Sequence, residues 1–244
     1  MVANQAWLNG PFVGFDTETT GVSTDNDRIV TAAIVVRTPE ETTIQTWLID
    51  PGIPIPVEAS NIHGITTEHA QEHGQQPVEA LEEIAELISG YLRGGAPLVA
   101  FNATFDVTIL NAELTRHGLP TLDERIGRPT SPVIDPLVLD RALDRYRRGK
   151  RKLVDLCSVY GIQETGTLHT ADADVVATLD VLARMLQKYP DVARMGLPEL
   201  HTYQATAHKR WAHNFNAFLA RQGNTDRVET TWLAHEEPAN ETLF

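Results

Sequence analysis

Cysteine is almost absent: Cys157 is the one thiol in 244 residues, which excludes an internal disulfide framework and any cysteine-built zinc finger. No stretch reaches the ~18 uninterrupted apolar residues of a membrane-spanning helix, and Met1 to Phe12 lacks a basic region followed by an apolar run. A cytoplasmic protein without membrane association is the expectation. Basic residues are scarce, 20 against 33 acids for a net charge of −13, which argues against a broad basic face laid along duplex nucleic acid. Short nucleic-acid contacts stay open where divalent cations invert the local charge. No internal repeat or low-complexity block occurs. What is present, 42% hydrophobic and 22% charged residues, suffices for a sizeable core and excludes a wholly disordered or collagen-like chain. The length fits one large domain or one domain with an appendage.

The pattern opens with strands. Phe12 to Phe15 is a short apolar run leading into Asp16-Thr-Glu-Thr-Thr-Gly21, whose glycine breaks the strand. Arg28 to Arg37, rich in Ile and Val, predicts a strand buried on both faces, and the alternation of Thr42 to Ile49 predicts a half-buried one. The period then becomes helical over Val78 to Leu92. Short strands are expected at Pro97 to Phe101 and Val133 to Asp135, with helices at Asp106 to His117, from Pro136, at Lys152 to Tyr160 and at Ala173 to Gln187. Strands first and alternating units afterwards imply an α/β fold, a mixed sheet flanked by helices. After Pro190 a long amphipathic helix, Pro198 to Gln222, carries Leu200, Tyr203, Ala207, Trp211, Phe215, Phe218 and Leu219 on one stripe. This stripe reads as core-facing rather than as a stacking platform. The tail from Gly223 reads as weakly ordered. The expected division is residues 1–190 as one domain and 191–244 as a C-terminal helical extension with a polar tail.

Asp16 and Glu18 are one residue apart at a strand end, so both side chains fall on one face, roughly 7 Å apart at the β-carbons. Two such carboxylates can share hard cations such as Mg²⁺ or Mn²⁺, which demand oxygen ligands. Alone, the pair is as well explained by a solvated strand end. Asp106 sits at a helix start, where the helix N-terminus favours a carboxylate. Thr170 is a plausible N-cap, which puts Asp174 in the first turns of a helix and His169 on the loop before it. Four carboxylates and a histidine thus gather at strand ends and helix starts, where a sheet exposes its rim.

These segments resemble the three motifs of the DEDDh family, the DnaQ-like 3′–5′ exonucleases typified by the proofreading subunit of bacterial DNA polymerase III. Phe15-Asp-Thr-Glu-Thr-Thr-Gly21 is similar to motif I, Asn102-Ala-Thr-Phe-Asp106 to motif II, and His169-x-Ala-x-x-Asp174 to motif III. Ile62-His-Gly-Ile-Thr66, Ile134-Asp-Pro-Leu137 and Leu153 to Gly161 resemble connecting segments of the family, so the likeness runs in order from about Phe12 to Lys188. One departure is Phe101, where many members have histidine. The resemblance implies a ribonuclease H-like fold, a five-stranded mixed sheet with helices on both sides. It also implies two Mg²⁺ or Mn²⁺ ions about 3.5–4 Å apart, serving the attacking and leaving oxygens of a phosphodiester. Asp16, Glu18 and Asp174 would hold one ion, and Asp16 would bridge to a second held by Asp106 through water. His169 would be the general base on the attacking water, and the product a nucleoside 5′-monophosphate. Thr19, Val22, His63 and Phe105 match positions that meet the terminal nucleotide, Val22 as an apolar wedge.

From Arg141 to Lys152 seven basic residues accompany one acid. The run reads equally as a solvated loop or as a phosphate-contacting one, with Arg147, Arg148, Lys150 and Arg151 as candidates. The leading expectation is therefore an exonuclease acting on a single-stranded 3′ end of DNA, in proofreading or repair. An exoribonuclease resembling ribonuclease T or oligoribonuclease uses the same carboxylates, and nothing in the sequence bears on the 2′-hydroxyl. An inactive, replicase-associated end-binding module is opposed by the intact set of five residues. A glycoside hydrolase built on Asp16 and Glu18 would leave Asp106, His169 and Asp174 unexplained. The extension leaves three roles open: docking a DNA polymerase, pairing two chains, or covering the sheet.

Overall fold

The computed structural model describes residues 3–162 and 170–233. After a short 3₁₀ helix, Ala3–Asn9, come β1 (Phe12–Thr19), β2 (Ile29–Arg37) and β3 (Thr42–Leu48). Helices α1 (Val57–His63), α2 (Thr67–His73) and α3 (Pro77–Arg93) precede β4 (Leu98–Val99), α4 (Ala103–Arg116) and α5 (Leu122–Ile126). Then follow β5 (Val133–Ile134), α6 (Pro136–Leu143), α7 (Leu153–Tyr160), α8 (Ala171–Lys188), α9 (Pro190–Arg194) and α10 (Leu197–Arg221). The five strands lie in the order β3-β2-β1-β4-β5. β2 is antiparallel to both β1 and β3, whereas β1, β4 and β5 run parallel. This is the mixed, ribonuclease H-like sheet that the sequence implied. Among the described residues no helix is long and apolar enough to cross a membrane.

The sheet is buried on both faces, which is why β2 reads as a continuous apolar run rather than an alternation. Ile34 joins Val13, Phe15, Ile84, Ile88 and Leu110 on the face covered by α3 and α4. Its neighbour Val35 joins Val99, Ile134, Leu156, Val175 and Leu179 on the opposite face, under α7 and α8. β3 departs from its expected half-burial. As the outer strand it has a partner on one side only, and along it Trp47 alone is buried while Ile44 is exposed.

Other elements differ in extent. β4 and β5 shrink to two residues each, and α4 begins at Ala103, nearly a turn before Asp106. α10 is long, as expected, but its stripe divides. Leu200 and Ala207 are buried, whereas Phe215 and Phe218 are 36% and 47% exposed, so the second half does not face the core. The tail after Gly223 is in turn better fixed than its polarity suggested as far as it is described. Asn216 brackets Val228 with hydrogen bonds to its N–H and carbonyl, and Trp232 and Leu233 are buried in the core, with Trp232 against the His201 ring.

α10 also closes the outer edge of β5. His201 Nδ1 accepts from the Val133 N–H at 3.1 Å, while the buried Gln204 donates to the Val133 carbonyl and accepts from the Asp135 N–H, at 2.9 and 2.7 Å. Side chains thus replace the missing strand partner, and the edge is not left as a template for another chain.

One close approach sets the position of α8. Gly14 in the middle of β1 packs under Val175 and Leu179, and a β-carbon there would clash with Val175 Cγ1 and lie 3.1 Å from Leu179 Cδ1. Gly14→Ala is expected to destabilise the fold by about 1–3 kcal/mol through overpacking. Gly90, inside α3 with open space around it, is the control: Gly90→Ala should stabilise by about 0.5–1 kcal/mol. Urea unfolding of both variants measures the contrast.

Candidate active site

The carboxyl end of β1 delivers Asp16 and Glu18, and the parallel β4 and β5 end at the same rim. The β1–β2 ladder slips by one residue between Glu18 and Thr19, an irregularity of the kind that re-aims side chains beside functional sites. Asp174 enters from the first turn of α8, one residue before the Val175 contact with Gly14. Oxygens of Asp16, Glu18 and Asp174 all lie within 4.8 Å of one another, and all three residues are partly exposed. That is a donor set of the right chemistry for a hard divalent cation. Asp106 stands just outside this triad. It is buried, and its Oδ1 accepts from the N–H and hydroxyl of Thr17 at 3.1 and 2.8 Å.

Crowding like charges raises their pKa values. Asp16 is pushed well above the usual carboxylate range, first by burial and then by Asp106, Asp174 and Glu18. Glu18 is raised to about 7 by burial and by Asp174. Asp106 is also raised to about 7, with burial outweighing the two hydrogen bonds from Thr17, which act in the opposite sense.

The local sequence explains how Asp106 is held. Asn102 carries φ 64°, a left-handed conformation that asparagine tolerates better than most residues. The bend turns the N–H groups of Asn102 and Ala103 onto the two oxygens of Asp135, at 3.1 and 3.0 Å. Asp135 also caps α6, accepting from Leu137 at 2.9 Å and Val138 at 3.4 Å. A single buried carboxylate therefore anchors the helix that carries Asp106 and the helix that follows it. Sequence reasoning treated Asp135 only as part of a strand. The signal was there: aspartate followed by proline marks an N-cap with proline in the first turn.

The remaining candidates fall as follows. The Thr19 hydroxyl donates to the Gly21 carbonyl at 2.6 Å. Val22 is 90% exposed on a loop tied down by Asp27, which accepts from Thr20 Oγ1 and the Ser23 N–H. His63, buried at the end of α1, accepts from the Ile65 N–H through Nδ1, and burial lowers its pKa against a smaller opposing effect of the Thr19 backbone. His63 and Glu18 line the same cleft of about 280 Å³. Phe105 is half-buried against the core beside Asp106. His169 lies outside the described residues. Thr170 occupies the N-cap position of α8 without a side-chain cap bond.

The basic run divides. Asp140 is fully buried and accepts from Arg147 at 2.6 Å, from Arg151, and from the Tyr160 hydroxyl at 2.9 Å. Arg151 also donates to the carbonyls of Asp140 and Asp144. These guanidinium groups are engaged by an internal carboxylate, a structural role that the basic run did not announce. Arg148 and Lys150 are exposed.

The exonuclease family model designated RNase_T matches residues 13–182. The chain belongs to the exonuclease family. A DNA polymerase III of the PolC type from Streptococcus thermophilus is 39% identical over 140 residues, 56% of this chain and 9% of that protein. The PolC-type polymerase of Caldanaerobacter subterraneus is 28% identical over 82% of this chain and 13% of its own length. The chain thus spans only a small part of the curated relatives it matches. Among solved structures, exonuclease I from Methylocaldum szegediense superposes with a TM-score of 0.60 at 26% identity, covering 85% of this chain and 45% of that one. Exonuclease X in complex with 5′-overhanging duplex DNA shares the fold, with a TM-score of 0.55 at 20% identity over 78% of this chain and 97% of that one.

Two outcomes follow. Glu18 and Asp106 hold protons in the metal-free fold up to about pH 7, whereas in the unfolded chain they release them near pH 4. Between these values the folded state binds more protons, so the stability of the metal-free exonuclease should fall as pH rises from about 4 to 7. Mn²⁺ should raise the melting temperature more at pH 8 than at pH 5; differential scanning fluorimetry with and without chelator measures both. Separately, Arg151→Ala should cost about 1.5–3 kcal/mol, because the buried Asp140 loses one of two guanidinium partners but keeps Arg147 and Tyr160. Arg148→Ala and Lys150→Ala should stay within about 0.5 kcal/mol of the parent, as chemical unfolding would record.

Proposed function

We propose that the chain is a metal-dependent 3′–5′ exonuclease acting on DNA. The observation that carries this reading is the meeting of Asp16, Glu18 and Asp174 oxygens within 4.8 Å at the rim of the sheet. Three carboxylates, with Asp16 raised well above the usual carboxylate range and Glu18 to about 7 by burial and then by neighbouring charge, are unfavourable together without a cation to neutralise them. Asp16, Glu18 and Asp174 would hold a first Mg²⁺ or Mn²⁺, and Asp16 with Asp106 would hold a second. Bound there, the cations supply charge neutralisation to the attacking and leaving oxygens of the phosphodiester.

The chain's own groups do the rest. His169 takes the proton from the attacking water, a task suited to a side chain titrating near neutrality. Thr17 holds Asp106 in place through its N–H and hydroxyl. Thr19, His63 and Phe105 flank the terminal nucleotide, and the exposed Val22 reaches the step behind it as an apolar wedge. Arg148 and Lys150 contact phosphates of the strand. Residues 1–190 form the catalytic unit, and residues 191–244 its extension. DNA is favoured over RNA because the similar proteins are DNA polymerases III and exonucleases, one of them bound to DNA. By the same likeness the partner class is a 3′ end of DNA, single-stranded or recessed in a duplex, with a DNA polymerase as the associated protein.

Incubation of 5′-labelled single-stranded DNA, duplex DNA and RNA with Mg²⁺, Mn²⁺ or chelator tests this directly. The expected result is a metal-dependent ladder shortening from the 3′ end of DNA. Asp16→Asn should abolish it with the fold retained, and His169→Ala should slow turnover by roughly 10²–10⁴-fold while Mn²⁺ binding by calorimetry persists. Parent rates in Asp16→Asn would overturn the two-cation assignment.

A further inference from the structure

The second half of α10 stands where the fold gives it no core to face. α10 runs beside β5 in the same direction, since His201 meets Val133 and Gln204 reaches on to Asp135. Continuing that direction carries the helix past the carboxyl end of the sheet, the end that holds Asp16 and Glu18. There Trp211 stacks on Phe215, with centroids 5.4 Å apart and planes at 11°, and Phe215 on Phe218 at 6.3 Å and 22°. The Arg141 guanidinium lies 3.7 Å from the Trp211 centroid. These side chains, with Arg145 and Arg210, line a concavity of about 350 Å³ that contains no acidic residue. Among the described residues none of the three arginines forms an ion pair. In a chain of net charge −13, a basic concavity without acids is a marked segregation of charge.

An exposed aromatic ladder flanked by guanidinium groups fits a ligand that has both π-faces and negative charge. We propose that this face binds the single-stranded part of the substrate upstream of its 3′ end, with bases against Phe215 and Phe218 and phosphates on Arg145 and Arg210. Arg141 positions the Trp211 ring. The proposal rests on the exonuclease reading. Two strand spacings separate β1 from β5, the packing of α10 outside β5 adds roughly 10 Å, and Trp211 lies two turns past Gln204, so the ladder begins roughly 20 Å from the carboxylates. A strand must therefore extend several nucleotides behind the cleaved bond to reach it, and short substrates end before it.

The full chain carrying Phe218→Ala and Arg210→Ala tests this, since both side chains are exposed. Anisotropy in chelator, with a 5′-labelled tetranucleotide and a twenty-nucleotide strand of DNA, reads binding without cleavage. The long strand should bind the variant roughly tenfold or more weakly, with a flatter salt dependence, while the tetranucleotide binds as to the parent. In Mg²⁺ the tetranucleotide should be cleaved at the parent rate. Equal affinity of parent and variant for the long strand overturns the proposal. So does a change of oligomeric state in ultracentrifugation with strand affinity unchanged, which would make the face a contact between copies. Length-dependent binding by a parent that degrades no substrate supports the platform and sinks the exonuclease reading instead. Degradation from the 3′ end with identical long-strand binding in both proteins sinks the platform alone.

Discussion

Asp135 is the point at which the architecture of the site is tied together. Its carboxylate takes backbone N–H groups from the starts of both α4 and α6, and its own N–H goes to Gln204 of α10. A buried charge is tolerated only when its lone pairs are satisfied, and here the donors are the N–H groups that helix starts leave unpaired. The consequence is mechanical. α4 cannot rotate without breaking those bonds, so Asp106 keeps its place beside Thr17 and Asp16. α10 cannot leave the edge of β5 without exposing Val133 and Asp135.

The carboxylate rim is built against its own electrostatics. Asp16, Glu18, Asp106 and Asp174 repel one another, and burial withdraws the water that would screen them. Only rigid supports hold such a cluster: the β1 strand, the Thr17 hydrogen bonds, and the contact of α8 with Gly14. The metal-free state is thereby strained in charge rather than in backbone. A divalent cation relieves that strain, so cation binding and stability are linked.

Charge is also sorted across the surface. The basic residues between Arg141 and Lys152 serve three different ends. Arg147 and Arg151 close on Asp140, Arg141 lies on Trp211, and Arg148 and Lys150 face solvent. In an acidic protein the few basic residues decide where an anionic ligand can approach, because the remaining surface repels it. The aromatic face of α10 gathers a second group of positive charge, Arg141, Arg145 and Arg210, with no acid among its lining residues.

The sequence by itself determined the order of the five strands and of the longer helices α3, α4, α6, α7, α8 and α10 but not the short α1, α2, α5 and α9, together with the two-sided burial of β2 and the position of all four carboxylates at strand ends and helix starts. Those features are local: a period of two or 3.6 and a turn residue are written in neighbouring positions. Tertiary structure alone decided what depends on partners distant in the chain. Arg147 and Arg151 look like free cations until the fold brings them onto the buried Asp140, whose other oxygen accepts from Tyr160. Phe215 and Phe218 continue an apolar stripe that would be buried if the sheet extended beyond β5, and it does not. Trp232 sits in a polar tail yet finds the core beside His201. The role of Asp135 was half legible, since its cap on α6 is local, but its hold on α4 required β4 and β5 to lie side by side. Periodicity shows which face of an element is apolar; only the packed fold shows what, if anything, covers it.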